Sequence, residues 1–285
     1  MQLSIERAEQ IRELLISGQE HVLETIVWDS ETLAGAMNLA CIEKEVRSTL
    51  ATKHLFFRLL DEWEHLPMFQ AARHAMNHRG LWPIPSLMKA EPQPWEILPT
   101  PLQEQVDGLV WSDFQRRFEA SLRACQFAGK LPKGIVGAFH EMADNSLRHS
   151  GPTIQRPAWG ATGYFVMQGQ MTFCIVDAGR GVLASLKTNS LNSALRTDKE
   201  ALQAAVIGRV TSDARKEQGD GFEEVHRALS DENGRLRFRS GTSALGLDGR
   251  GRDRAVVYTD GMKSSAGLHV VVHCVLDGFD SDSEL

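Results

Sequence analysis

Three apolar segments of strand character, RLRFRS (235–240), RAVVYTD (254–260) and LHVVVHCVL (268–276), follow one another toward the C-terminus through short glycine-bearing loops. Strands joined in this way pair antiparallel, because a parallel neighbour needs a long crossover, usually a helix. Two earlier candidates, TGYFVM and MTFCIVD, meet at Gly169 in what reads as a hairpin. A mixed, mainly antiparallel sheet is therefore predicted for residues 111–276, with helices on one face.

The remainder of the chain reads as helix and connector. Ile5, Ala8, Ile11, Leu14 and Leu15 form one apolar stripe, and Leu50, Leu55, Phe56, Leu59 and Leu60 another, so residues 1–79 are predicted mostly helical. The run HVLETIVW fits a strand or a helix end equally well. Residues 82–101 hold Pro83, Pro85, Pro92, Pro94, Pro99 and Pro101. Proline fixes φ and lacks an N–H, so neither a regular helix nor a central strand fits there. Trp82, Trp95, Ile97 and Leu98 lie among these prolines and predict an ordered connector packed on a domain. The division expected is a helical region over 1–110, a second domain over 111–276 and an acidic disordered tail over 277–285.

Of the 285 residues 42% are hydrophobic and 24% charged, enough apolar content for a substantial core. A net charge of -6 gives no bulk attraction to nucleic acid or to an acidic membrane. The start MQLSIERAEQIREL lacks the features of a signal peptide, no stretch is long and apolar enough to span a bilayer, and the expectation is a cytoplasmic protein. Cys41, Cys125, Cys174 and Cys274 show no C-x-x-C spacing, which argues against zinc or a disulfide framework.

Four local patterns carry chemistry. In HEMADNSLRHSG, Glu141 and Asn145 are four residues apart and share a helix face, while Phe139, Ala143 and Leu147 tend to the other. In FCIVDAGRG, an apolar strand ends at Asp177 and is followed by Gly179 and Gly181. A carboxylate there can accept from the exocyclic amine of a base, and the glycines let backbone approach a flat ring. In EQGDGFEEV, Gly219 and Gly221 precede a helix whose first N–H groups can face a phosphate. In RLRFRSGTSAL, a strand runs into Ser240, Gly241 and Thr242. Each pattern alone is common in helices, turns and hairpins.

Their order resembles the GHKL superfamily of histidine kinases, anti-sigma kinases, type II topoisomerases and certain chaperones. That family has an E-x-x-x-N helix, a strand with D-x-G-x-G, a variable lid, a second glycine box and a strand reaching Gly-Thr. The run N-S-L-R-H-S is similar to the N-x-x-R-H-S of its kinase members. The resemblance covers about the last 150 residues and implies a two-layer α/β sandwich that binds ATP with Mg²⁺. It implies that Asn145 holds the metal and that Asp177 reads the adenine amine. Gly179 and Gly181 would line the base, Gly219 and Gly221 the phosphates, and residues 181–218 would form the lid. Thr242 would support Asp177, and Glu141 would serve the attacking group. The second box departs from the pattern, with G-D-G-F in place of a leucine after the last glycine.

An ATP-dependent switch or ATPase is the function expected. A serine/threonine kinase of the anti-sigma type, a histidine kinase and a nucleotide-binding module without turnover are the alternatives. His54 lacks the acidic neighbour of a phosphoacceptor histidine, and the one His-Glu pair, His140-Glu141, lies inside the ATP motif. A protein partner or a second copy is expected to dock on the helical N-terminal region. D-x-G-x-G also occurs in S-adenosylmethionine-dependent methyltransferases, and V-D-A-G-R-G with Asp198 passes as a loose dinucleotide fingerprint. Both of those readings require a parallel sheet.

Overall fold

The computed structural model describes residues 2–17, 19, 22, 30–49, 60, 63, 65–78, 92–101, 108–129, 131–152, 157–167, 169–208, 210, 234–248 and 255–276. A two-stranded parallel pair, β1 (Gln2–Leu3) and β2 (Ser30–Glu31), opens the chain. Helix α1 (Ile5–Ile16) starts at Ser4, whose hydroxyl accepts from the Arg7 N–H, and buries Ile5, Ala8, Ile11 and Leu15 at helical spacing. Helix α2 (Leu33–Thr49) is apolar along its first half. Helix α3 (Pro67–Asn77) begins on a proline, which suits the first turn, and the Glu31 carboxylate accepts from the free N–H groups of Met68 (2.6 Å) and Phe69 (2.7 Å).

Seven strands form the main sheet: β3 (Trp95–Pro99), β4 (Gly160–Met167), β5 (Gln170–Asp177), β6 (Arg235–Gly241), β7 (Ser243–Asp248), β8 (Ala255–Thr259) and β9 (Ser265–Val275). Their order is β3-β4-β5-β9-β6-β7-β8, and every neighbouring pair is antiparallel. The fold is thus α+β, and the parallel sheet required by the methyltransferase and dinucleotide readings is not what these residues form. The β4–β5 hairpin turns at Gly169, whose φ of 75° suits glycine. Strand β7 was not foreseen. It pairs with β6 across the two-residue turn Gly241-Thr242, with Gly241 at φ 58°.

The proline-bearing connector supplies β3, an edge strand, where proline is tolerated because one row of donors faces away from the ladder. Helices α4 (Leu109–Ala124), α5 (Leu131–His149), α6 (Gly181–Leu186) and α7 (Asp198–Val206) cover one face of the sheet. The core there holds Tyr164, Phe173, Ile175, Phe238, Val270 and Val272. The prediction of helices on one face is corrected: α1–α3 close the other, over Ile97, Ala161, Cys174, Val176 and Val271. Strands buried on both sides read as continuous apolar runs, as in CIV and VVV, rather than as alternation. Within residues 181–218, the lid expected from the resemblance, α6 and α7 bury Val182, Leu186, Ala201 and Leu202 in that core, so this part is a packed layer. The segments HVLETIVW and FEEVHRAL and the acidic tail, apart from Val22, lie outside the described residues.

Candidate functional site

Asp177 ends β5 and is 2% exposed. Strand alternation turns its side chain toward α5, and three protein donors meet it there. Oδ1 accepts from the N–H of Gly179 (2.9 Å) and, at longer range, of Leu268 (3.4 Å); Oδ2 accepts from the Ser146 hydroxyl (3.2 Å). Burial pushes the carboxyl up to about 7, and the Gly179, Ser146 and Leu268 donors oppose the rise. The chain thus keeps a carboxyl in a place that resists its ionisation, which is frequent at functional sites.

The glycines around Asp177 are required sterically. A Cβ on Gly179 would lie 2.5 Å from the Ser150 carbonyl oxygen, and Gly181 has a φ of 76°. Gly267, at φ 70°, is tighter: its Cβ would fall 1.8 Å from the Asp177 carbonyl oxygen. Its N–H donates to Gly179 O (2.9 Å), and its own carbonyl accepts from the Ser240 hydroxyl (2.9 Å). The same hydroxyl accepts from the Val182 N–H (2.9 Å), which ties the first turn of α6 to β9. Arg180 donates from Nε to the His149 carbonyl (2.9 Å) and from Nη2 to the Gly151 carbonyl, satisfying acceptors at the C-terminal end of α5. The loop after Asp177 is therefore fastened to α5, α6 and β9.

Glu141 and Asn145 are half-buried on α5, one turn apart, and Asn145 directly precedes Ser146. Beyond them, Arg148 is exposed and pairs with Asp144 (2.5 Å). His140 accepts at Nδ1 from the Trp111 indole N–H (2.9 Å), a link between α4 and α5. Among the described residues, no group of three His, Cys, Asp or Glu side chains could hold a metal ion. No described helix is long and apolar enough to cross a membrane.

Thr242 does not touch Asp177. Its N–H (2.9 Å) and hydroxyl (3.1 Å) both donate to Asp198 Oδ2 at the start of α7. The reason is topological: β9 lies between β5 and β6, so the β6–β7 turn is two strands from Asp177, roughly 10 Å away at ordinary strand spacing. Leu268 and Gly267 occupy the place foreseen for Thr242. Asp198, weighed as a ribose acid in the dinucleotide reading, is engaged by this turn. Gly219, Gly221 and His54 lie outside the described residues. Ser146, Gly267 and Leu268 were missed by sequence reasoning, and Ser240 was named only as the residue where a strand meets Gly241 and Thr242. The usable signals were a hydroxyl residue beside Asn145 and a glycine at the mouth of an apolar strand.

Behind the sheet, Cys41 Sγ lies 3.5 Å from His269 Nε2, and His269 Nδ1 meets Asn38 Oδ1. The residue types are those of a thiol nucleophile with its base and orienting amide. Chemistry of that kind is excluded by burial. Cys41 and His269 are both 0% exposed, burial pushes the Cys41 thiol far up, and burial with the Arg12, Arg239 and Arg237 guanidiniums holds the imidazole well below its usual value.

A pH dependence follows from Asp177. Its carboxyl keeps its proton to about pH 7 in the folded chain and to about 3.8 in water, so the folded state holds more protons between those values. Stability from this group is present below about pH 3.8 and is lost as pH rises toward 7, with a total on the order of 4 kcal/mol. In Asp177→Asn the amide oxygen can accept from Gly179 and Leu268 while Nδ2 donates to Ser146. Ligand-free Asp177→Asn is expected to melt above wild type at pH 8, with the gap closing toward pH 4. A gap that does not change with pH in thermal scans would mean that Asp177 ionises normally. No protein-family model, no curated protein and no solved structure matches the chain.

Proposed function

We propose that this chain binds ATP with Mg²⁺ where α5 meets the β5–α6 loop, as an ATP-dependent switch or ATPase of the GHKL type. One observation carries the reading: the Ser146 hydroxyl bonds the buried Asp177 carboxylate, and Ser146 follows Asn145 on the helix that also bears Glu141. On this reading Asp177 would read the base, Asn145 would hold the metal and Glu141 would serve the attacking group, from two elements joined at Ser146, in the order the motif sequence implies. The residues fit such a ligand in kind. Oδ2 of Asp177 has a single protein donor among the described residues, which leaves acceptor capacity for an amine. Asn145 offers one hard oxygen, suited to Mg²⁺ that draws its other ligands from phosphate and water. The magnesium supplies charge neutralisation of the phosphates when bound; positioning is the work of this chain's side chains.

The test is calorimetry of Mg·ATP with wild type and Asp177→Asn. In the variant, Nδ2 would meet the adenine amine donor to donor. A loss of about 1–3 kcal/mol is expected, the usual worth of a hydrogen bond to a charged group. The loss should also shrink as pH falls below about 7, where wild-type Asp177 is itself protonated. Equal affinity of the two proteins at pH 8 would remove Asp177 from the site.

A further inference from the structure

Helix α2 grips, from the far side of the sheet, the two strand ends that meet at Asp177. Asn38 and Cys41 lie three residues apart on one face of α2 and are buried to 1% and 0% exposure. Asn38 Nδ2 donates to the Ala34 carbonyl (2.8 Å), which leaves Oδ1 to accept from His269 Nδ1. That assignment puts an imidazole proton on Nδ1, while Nε2 faces the Ser265 hydroxyl (3.2 Å), the Ala266 carbonyl oxygen (3.2 Å) and the Cys41 thiol (3.5 Å). Cys41 Sγ also approaches the Asp177 carbonyl oxygen (3.7 Å). His269 is opposite Val176 in the ladder and directly follows Leu268, whose N–H reaches Asp177.

These contacts differ in their tolerance. The Leu268–Asp177 bond is 3.4 Å, at the long end for N–H···O, so a shift of a few tenths of an ångström at the start of β9 would break it. The His269 ring is what α2 holds at that point. It is rigid and buried, and its neutral form needs a fixed acceptor for the Nδ1 proton. We propose that Asn38 and His269 are positioning residues for Asp177, so that α2 sets the strength of nucleotide recognition through the start of β9. The inference rests on the reading of Asp177 as the base-binding carboxylate.

The experiment uses the full chain and two readouts. Hydrogen exchange of the Leu268 amide, relative to Val270 and Val272 in the same strand, reports the grip without any nucleotide. Mg·ATP affinity reports its consequence. Asn38→Ala and His269→Ala are expected to speed Leu268 exchange and to weaken Mg·ATP by about tenfold, the loss of one hydrogen bond to a charged group. His269→Asn places an amide donor where Nδ1 stood and should restore both. Ile42→Ala, a buried change on the same helix, should lower the melting temperature and leave both readouts at wild-type values. The proposal is overturned if both alanine variants leave Leu268 exchange unchanged, or if Ile42→Ala moves it as much. A wild type that binds no Mg·ATP would remove the nucleotide reading, and the amide exchange would still decide the positioning.

Discussion

Glu141→Ala is expected to leave Mg·ATP bound and to slow its turnover roughly 10²–10⁴-fold, the usual worth of a positioned base. Glu141 is half-buried on α5, one turn before Asn145, and the three donors that meet Asp177 are Gly179, Leu268 and Ser146. Losing its carboxylate should therefore not disturb the base end of the site. Asn145→Ala is expected to behave differently and to damage binding and turnover together, because on the proposed reading Asn145 would hold the magnesium that neutralises the phosphates. Single-turnover rates with γ-labelled ATP at saturation distinguish the two, and the product separates the functions: free phosphate for an ATPase, labelled partner for a kinase, neither for a binding module. Glu141→Ala reacting as fast as wild type would make Glu141 structural.

The second large effect is on stability. Phe139 is fully buried on α5, with ring centroids 5.3–5.8 Å from Trp111, Phe114, Phe118 and Phe173. It joins α4, α5 and β5 at one point. Phe139→Ala removes the ring from a cluster with rigid walls, so the cavity cannot collapse fully, and a loss of about 3–5 kcal/mol is expected. Urea unfolding measures it. A loss under about 1 kcal/mol would mean that α5 is held by its other contacts and that the aromatic cluster is incidental.

The site was partly legible because some of its requirements are local. Asp177 at a strand end followed by Gly179 and Gly181 is a backbone requirement: one glycine has no room for a Cβ, the other has a positive φ. These glycines admit Ser150, Ser240 and Gly267 of the chain itself. Thr242 could not be placed correctly from sequence, because its distance from Asp177 depends on which strand lies between them. Strand β7 was hidden for a similar reason, since SALGLD has neither clean alternation nor a long apolar run, and only pairing with β6 and β8 makes it a strand.

The sequence by itself determined what depends on neighbours along the chain: antiparallel hairpins from short turns, helix faces from three- and four-residue spacing, and a carboxylate delivered to the end of an apolar strand. Only the tertiary structure decided what depends on pairs remote in sequence. It inserted β9 between β5 and β6, turned the N-terminal helices into a second layer on the sheet, and set Asn38 against His269, 231 positions away. Periodicity reports which face of an element is apolar and not which partner will cover it. That choice is made by packing two apolar faces against one another and by satisfying every polar group that the packing buries.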